Sequence, residues 1–198
     1  MRTRLLDLLV KHSYRYDASE PFRLSSGRRS AFYVNCKATT MQGEAFDLVG
    51  ALVAEHLPPG IEAVGGLTLG ADPIAHATAS YCTRHGRPLR YFVVRKEAKA
   101  HGTGQQIEGG LGKGTAVAVV DDVVTTGAST IEAIRRCQSG GLVVKAVVVL
   151  VDRLEDDGLR KIEEAAGNGV PVRAIFTRTD LEARAHGNPD TARVASRS

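Results

Sequence analysis

"VAVVDDVVTTGAST", residues 117–130, sets a valine-rich run against two adjacent acids, two threonines, a glycine and two more hydroxyls. A short β-branched run bounded by small turn residues reads as a buried strand, here Thr115–Val120, and "TTGAST" reads as the turn into a helix. In an open parallel sheet, ligands sit outside the carboxyl ends of the strands. On this reading Asp121 and Asp122 are exposed at a strand end, where a substrate is expected.

The turn supplies the opposite chemistry. Backbone N–H groups at a helix start and the positive end of its dipole form an anion cradle, to which Thr125, Thr126, Ser129 and Thr130 add hydroxyl donors, while Gly127 lets the backbone come close. An acid pair beside a phosphate cradle suits a ligand carrying both hydroxyls and a phosphate, such as a ribose 5-phosphate; inorganic phosphate would be repelled. The plainer alternative is an acid pair that caps the turn, with Ser129 as the N-cap.

Outward from this segment, short β-branched runs alternate with stretches of helical period, the pattern of a parallel sheet covered by helices. Strands are expected at 63–66, 90–94, 115–120, 144–151 and 172–176. Helices are expected at 43–57, with Phe46, Val49 and Val53 on one face, at 72–85, with Ile74, Thr78 and Tyr81, and at 129–138, with Ile131 and Ile134. This is an α/β fold with an open, mainly parallel five-stranded sheet. Upstream, "EPFRLSSGRRSAFYVNCK" (residues 20–37) places a Ser-Gly turn between apolar runs and suggests a hairpin. The expected division is an N-terminal helix and hairpin hood at 1–40, a core at 41–178 and a C-terminal segment at 179–198, frayed from about Arg184.

A chain of 198 residues with 43% hydrophobic and 24% charged residues fits one globular domain. The net charge of +4 biases it toward anionic partners. The opening "MRTRLLDLLVKH" is interrupted by Asp7 and Lys11 and reads as an amphipathic helix rather than a signal peptide. No segment approaches the ~20 apolar residues of a membrane span, so a cytoplasmic protein without a membrane partner is expected. Cys36, Cys82 and Cys137 have neither metal-ligand nor disulfide spacing.

Two further segments carry chemistry. "RKEAKAHGTGQQIEGGLGKG" (residues 95–114) places Arg95, Lys96, Lys99 and His101 on a glycine-rich stretch, a cationic loop able to close over a charged substrate; its plainer reading is a solvated surface. "VGGLTLGADPIA" (residues 64–75) is a tight glycine-rich turn that can cradle a second phosphate. Neither the P-loop pattern nor G-x-G-x-x-G directly after a strand occurs.

Together these three segments resemble the type I phosphoribosyltransferases, and "RKEAKAHG" with "FRLSSGRRSAFYV" resembles the orotate branch of that family. The resemblance covers about Phe22 to Arg153. It implies the type I phosphoribosyltransferase fold and transfer of a 5-phosphoribosyl group from phosphoribosyl pyrophosphate to orotate, giving orotidine 5′-phosphate and pyrophosphate in pyrimidine biosynthesis. It further implies that Asp121 and Asp122 hold the ribose hydroxyls, and that Thr125, Thr126, Gly127, Ala128 and Ser129 hold the 5-phosphate. Arg95, Lys96, Lys99 and His101 then meet pyrophosphate, Lys99 and His101 acting on the leaving group, while Arg153 and Thr125 meet orotate. Mg²⁺ held mainly by substrate is implied, as is a homodimer in which loop 95–104 reaches the neighbouring site. Ser25 and Gly70 stand where the enterobacterial form has lysines. The rival reading is a phosphoribosyl-pyrophosphate-sensing regulator that binds nucleic acid; it draws on the pI of about 9.1 but lacks a helix-turn-helix segment and a dense basic stripe, so no nucleic-acid partner is expected.

Overall fold

A long valine run decides where the chain turns back on itself. Val147–Val149 and Val151 are buried to 1% exposure or less, and apolar side chains on both faces of a strand require cover on both faces. The computed structural model describes residues 1–23, 29–97 and 106–187. It begins with α1 (Arg2–His12), β1 (Tyr14–Tyr16), β2 (Phe22–Arg23), β3 (Arg29–Ser30), β4 (Phe32–Val34), α2 (Lys37–Thr40) and α3 (Gly43–Ala54). There follow β5 (Ala63–Leu67), α4 (Ala71–Arg84), β6 (Arg90–Val94), β7 (Ile107–Glu108), β8 (Ala116–Val124), α5 (Ala128–Ser139), β9 (Val143–Asp152), α6 (Gly158–Ala166), β10 (Val172–Thr177) and α7 (Arg178–His186).

Among the described residues the main sheet has six strands, in the order β10-β9-β8-β5-β6-β7. Five run parallel, as the sequence pattern predicts, and the sixth, β7, returns antiparallel to β6 with Val94 opposite Ile107. The expected count of five was one short because β7 is two residues long and lies inside the glycine-rich stretch. Two small ribbons, β1 with β4 and β2 with β3, form the N-terminal part; Phe22 pairs with Ser30, as a hairpin requires. Its turn, including Ser25, lies outside the described residues.

Two apolar layers sandwich the sheet. Leu5 and Leu9 of α1, Val49 of α3, Ile74 of α4 and Leu181 of α7 pack with Ala118 and Val120 on one face. Ile134 of α5 and Ile162 of α6 pack with Val117 and Val119 on the other. Helix α7 is secured by a capping box: the Thr177 hydroxyl accepts from the Asp180 N–H at 3.2 Å, and the Asp180 carboxylate accepts from the Thr177 N–H at 2.8 Å. Arg184, expected in a frayed tail, sits in this helix, 2.6 Å from Asp7 of α1. Residues 188–198 lie outside the described set. Cys36, Cys82 and Cys137 are buried free thiols.

Candidate active site

Alternation along β8 separates the two acids. Successive side chains of a strand point to opposite faces; Val117 and Val119 share the α5 face, and Ala118 and Val120 share the α3/α4 face. Asp121 continues the first set and accepts a 2.7 Å hydrogen bond from the Thr130 hydroxyl of α5. Asp122 continues the second and is ion-paired at 3.1 Å with Lys37 of α2. The acids were expected to be exposed at a strand end. Instead β8 runs on to Val124 because Asp121, Val123 and Val124 pair with Val149, Val151 and Asp152 of β9, and the acids are only 5% and 8% exposed.

Burial, and then the neighbouring Asp122 charge, push the Asp121 carboxyl up to about 7 against the opposing effect of the Thr130 bond. Burial works to lower the Lys37 ammonium, but the Asp122 carboxylate outweighs it and holds Lys37 above its ordinary value. Burial, with the two acids adding, pushes the Cys36 thiol well up, so this cysteine beside the site is a poor nucleophile.

After β8 the chain turns through Thr125 and Thr126 into α5, whose N-cap is Gly127 at φ 79°. Ser129 is therefore not the N-cap; it lies in the first turn, where the Thr126 hydroxyl accepts from the Ala128 N–H at 3.4 Å. The first-turn N–H groups lack intrahelical partners by geometry, leaving an anion cradle at the strand end. A Cβ on Gly127 would stand 2.8 Å from the Gly158 carbonyl of α6, so both the left-handed backbone and the close approach require glycine.

A cleft of about 600 Å³ opens over this turn. It is lined by Asp121, Thr125, Thr126, Gly127, Ala128, Ser129 and Thr130, together with Arg23, Tyr33 and Val34 of the N-terminal ribbons and Arg153. Arg153 is buried. It donates through Nη2 to Glu155 at 3.1 Å and to the Phe32 carbonyl at 3.4 Å, its guanidinium lies 5.2 Å from the Phe32 ring centroid, and its buried Nε has no partner. A guanidinium that lines a cleft can pair with a carboxylate through its N–H groups.

A second hollow of about 480 Å³ lies beyond β5, lined by Thr68, Val93, Arg95, Lys96, Glu97 and Glu108. The glycine-rich turn after β5 borders it, with the Thr68 hydroxyl donating to Asp72 at 2.6 Å. Gly70 fits that turn because a Cβ there would come within 2.4 Å of the Asp122 carboxylate. Arg95 and Lys96 thus sit apart from the 125–130 turn, and Lys99 and His101 lie outside the described residues. Lys37, Arg23 and Tyr33 escaped the sequence reading. The local signal for all three was weak, a lone lysine and two hairpin residues whose relation to the acids exists only in three dimensions.

No family model matches the chain. Orotate phosphoribosyltransferase of Thermosynechococcus vestitus is 43% identical over 184 residues, covering 92% of this chain and 94% of that protein. The chain belongs to the orotate phosphoribosyltransferase family. Orotate phosphoribosyltransferase of Mycobacterium tuberculosis, solved with Fe(III) dicitrate, matches 91% of this chain and 98% of its own at TM-score 0.77 and 38% identity. The same enzyme solved with 5-phospho-α-D-ribosyl 1-diphosphate matches at TM-score 0.74 and 35% identity, with the same coverage. The α/β architecture is that of this family, and the regulator reading has no support in these relatives.

Proposed function

We propose a division of labour in which the cleft beside β8 holds the ribose 5-phosphate end of phosphoribosyl pyrophosphate together with orotate, and the hollow beyond β5 takes the pyrophosphate. As an orotate phosphoribosyltransferase, the protein transfers the 5-phosphoribosyl group from phosphoribosyl pyrophosphate to orotate, giving orotidine 5′-phosphate and pyrophosphate in pyrimidine biosynthesis. The observation that supports the assignment of parts is the meeting, in one cleft, of a buried acid, a helix N-terminus and the buried Arg153.

In this reading the residues from Thr125 to Ser129 hold the 5-phosphate on backbone N–H groups and hydroxyls. Asp121 accepts from ribose hydroxyl on the side of that turn, and Asp122, beside Gly70, on the side of the pyrophosphate turn. Arg153 and Thr125 receive the orotate carboxylate end. A bond forms between the orotate ring nitrogen and the ribose carbon as the bond to pyrophosphate breaks, and the proton of that nitrogen passes to the departing pyrophosphate or to solvent. Orotate carries an acidic ring nitrogen, so the harder task is to stabilise the departing pyrophosphate; Arg95, Lys96, Lys99 and His101 supply positive charge for it.

Both acids already have protein partners, Thr130 and Lys37. That donor set fits a Mg²⁺ carried mainly on substrate oxygens, where it would neutralise pyrophosphate charge. Among the described residues no helix is long and apolar enough to cross a membrane, and we place the reaction in the cytoplasm. We also infer a homodimer in which Lys99 and His101 of the 95–104 loop reach the neighbouring site, while Arg95 and Lys96 at its root serve their own.

Arg153→Ala tests the placement of orotate. Loss of a charge-assisted bond costs about 1.5–3 kcal/mol, so the KM for orotate should rise by about 10- to 150-fold while that for phosphoribosyl pyrophosphate changes little. Equal rises for both substrates would make Arg153 a structural partner of Glu155 instead.

A further inference from the structure

Helix α5 begins at the phosphate turn, and its far half reaches the root of the basic segment. Arg136, two and a half turns from Gly127 along the polar flank of the helix, is held by Glu132 at 2.7 Å through Nε. Its Nη1 donates to the Arg95 carbonyl, and its Nη2 donates to the Lys96 carbonyl at 3.0 Å. The side chain is only 16% exposed.

In an extended strand, successive carbonyls point to opposite sides. Two neighbouring carbonyls converging on one planar guanidinium require the chain to bend there, and the ladder between β6 and β7 does end just before, at Val94 opposite Ile107. The Arg95 N–H still bonds the Gln106 carbonyl at 2.9 Å. The C-cap of the same helix also meets the returning strand: a Cβ on Gly140 would lie 2.9 Å from the Ile107 side chain. One rigid helix therefore ends in the phosphate turn on one side and fixes both entry and exit of the basic segment on the other.

We propose that Arg136 is a positioning residue: by holding the Arg95 and Lys96 carbonyls it sets the direction in which those two basic side chains meet pyrophosphate, at a distance from the 5-phosphate turn fixed by α5. This rests on the assignment of Arg95 and Lys96 to pyrophosphate. Arg136 contacts no substrate and acts through the backbone of its two neighbours. Glu132 orients its guanidinium, as an i,i+4 partner can.

The test is a coupling measurement. Arg136→Met, an Arg95→Ala/Lys96→Ala variant and the three changes combined are compared for KM and kcat with each substrate. Arg136→Met should raise the KM for phosphoribosyl pyrophosphate about tenfold, as displacement of a binding group does, with the KM for orotate within about twofold. In the background lacking both basic side chains it should add less than about twofold, because residues acting through one another are non-additive. A full, additive loss in that background, or equal loss for both substrates, would overturn the proposal. If Arg136→Met does not fold, Arg136→Lys, which keeps the charge but lacks the planar fork, enters the same comparison with the same criteria. If Arg95→Ala/Lys96→Ala leaves the KM for phosphoribosyl pyrophosphate unchanged, the underlying site assignment fails, a result distinct from additivity.

Discussion

Asp121→Asn should stabilise the ligand-free protein at pH 7.5 while weakening its hold on phosphoribosyl pyrophosphate. The folded-state pKa of Asp121 is raised from 3.8 to about 7, so its contribution to stability is fully present below the ordinary value and is lost as pH rises toward 7. Above that pH the wild-type protein keeps a buried, poorly solvated charge that the variant lacks. The geometry is retained. Asp121 Oδ1 accepts the Asp122 N–H and Oδ2 accepts the Thr130 hydroxyl, and an asparagine can accept the first and donate to the second. Converting the shift at one pKa unit per 1.36 kcal/mol, the gain should be about 2–4 kcal/mol at pH 7.5 and mostly vanish at pH 4. Urea unfolding at the two pH values measures it, and calorimetry should show phosphoribosyl pyrophosphate bound about 10- to 150-fold more weakly. A variant that is no more stable at pH 7.5 would mean that Asp121 carries no burial penalty. A stabilising substitution that impairs binding is the trade expected where function requires a strained group.

Lys99→Ala should depress kcat by about 10²–10⁴-fold while changing the KM values much less, the pattern of an interaction made chiefly in the transition state. The expectation comes from the family resemblance and from the chemistry of the step, since pyrophosphate gains charge as it departs. If the loop crosses between subunits, a Lys99→Ala subunit and one altered at both Asp121 and Asp122 should complement each other. In their heterodimer one site receives both defects and the other neither, so about half of its sites should work. Recovered activity on mixing two inactive variants supports the shared site. Confirmed heterodimers without recovery would mean that the loop serves its own subunit.

These residues show what a sequence can disclose. The valine runs of β8 and β9 announce a buried parallel sheet because both of their faces are apolar, and the hydroxyl-rich turn after β8 announces an anion cradle by composition. The depth of Asp121 was not legible, because β8 continues past it through pairing with β9, which the local sequence does not encode. Helices α6 and α7 were missed because their core-facing stripes are thin: Leu181 is the one buried side chain in α7, and α6 buries only Gly158, Ile162 and Ala166. Lys37 meets Asp122 across 85 positions. Arg136 reads in sequence as one more charge on a polar helix face, and only its bonds to the Arg95 and Lys96 carbonyls distinguish it.

The most direct measurement follows the fall in orotate absorbance when the protein is given orotate, phosphoribosyl pyrophosphate and Mg²⁺, with adenine, uracil and hypoxanthine supplied as rival bases. The account predicts orotate consumption that needs phosphoribosyl pyrophosphate, releases pyrophosphate and persists in the presence of the other bases, which lack a carboxylate for Arg153. No consumption of orotate, or preferential use of one of the other bases, would contradict it.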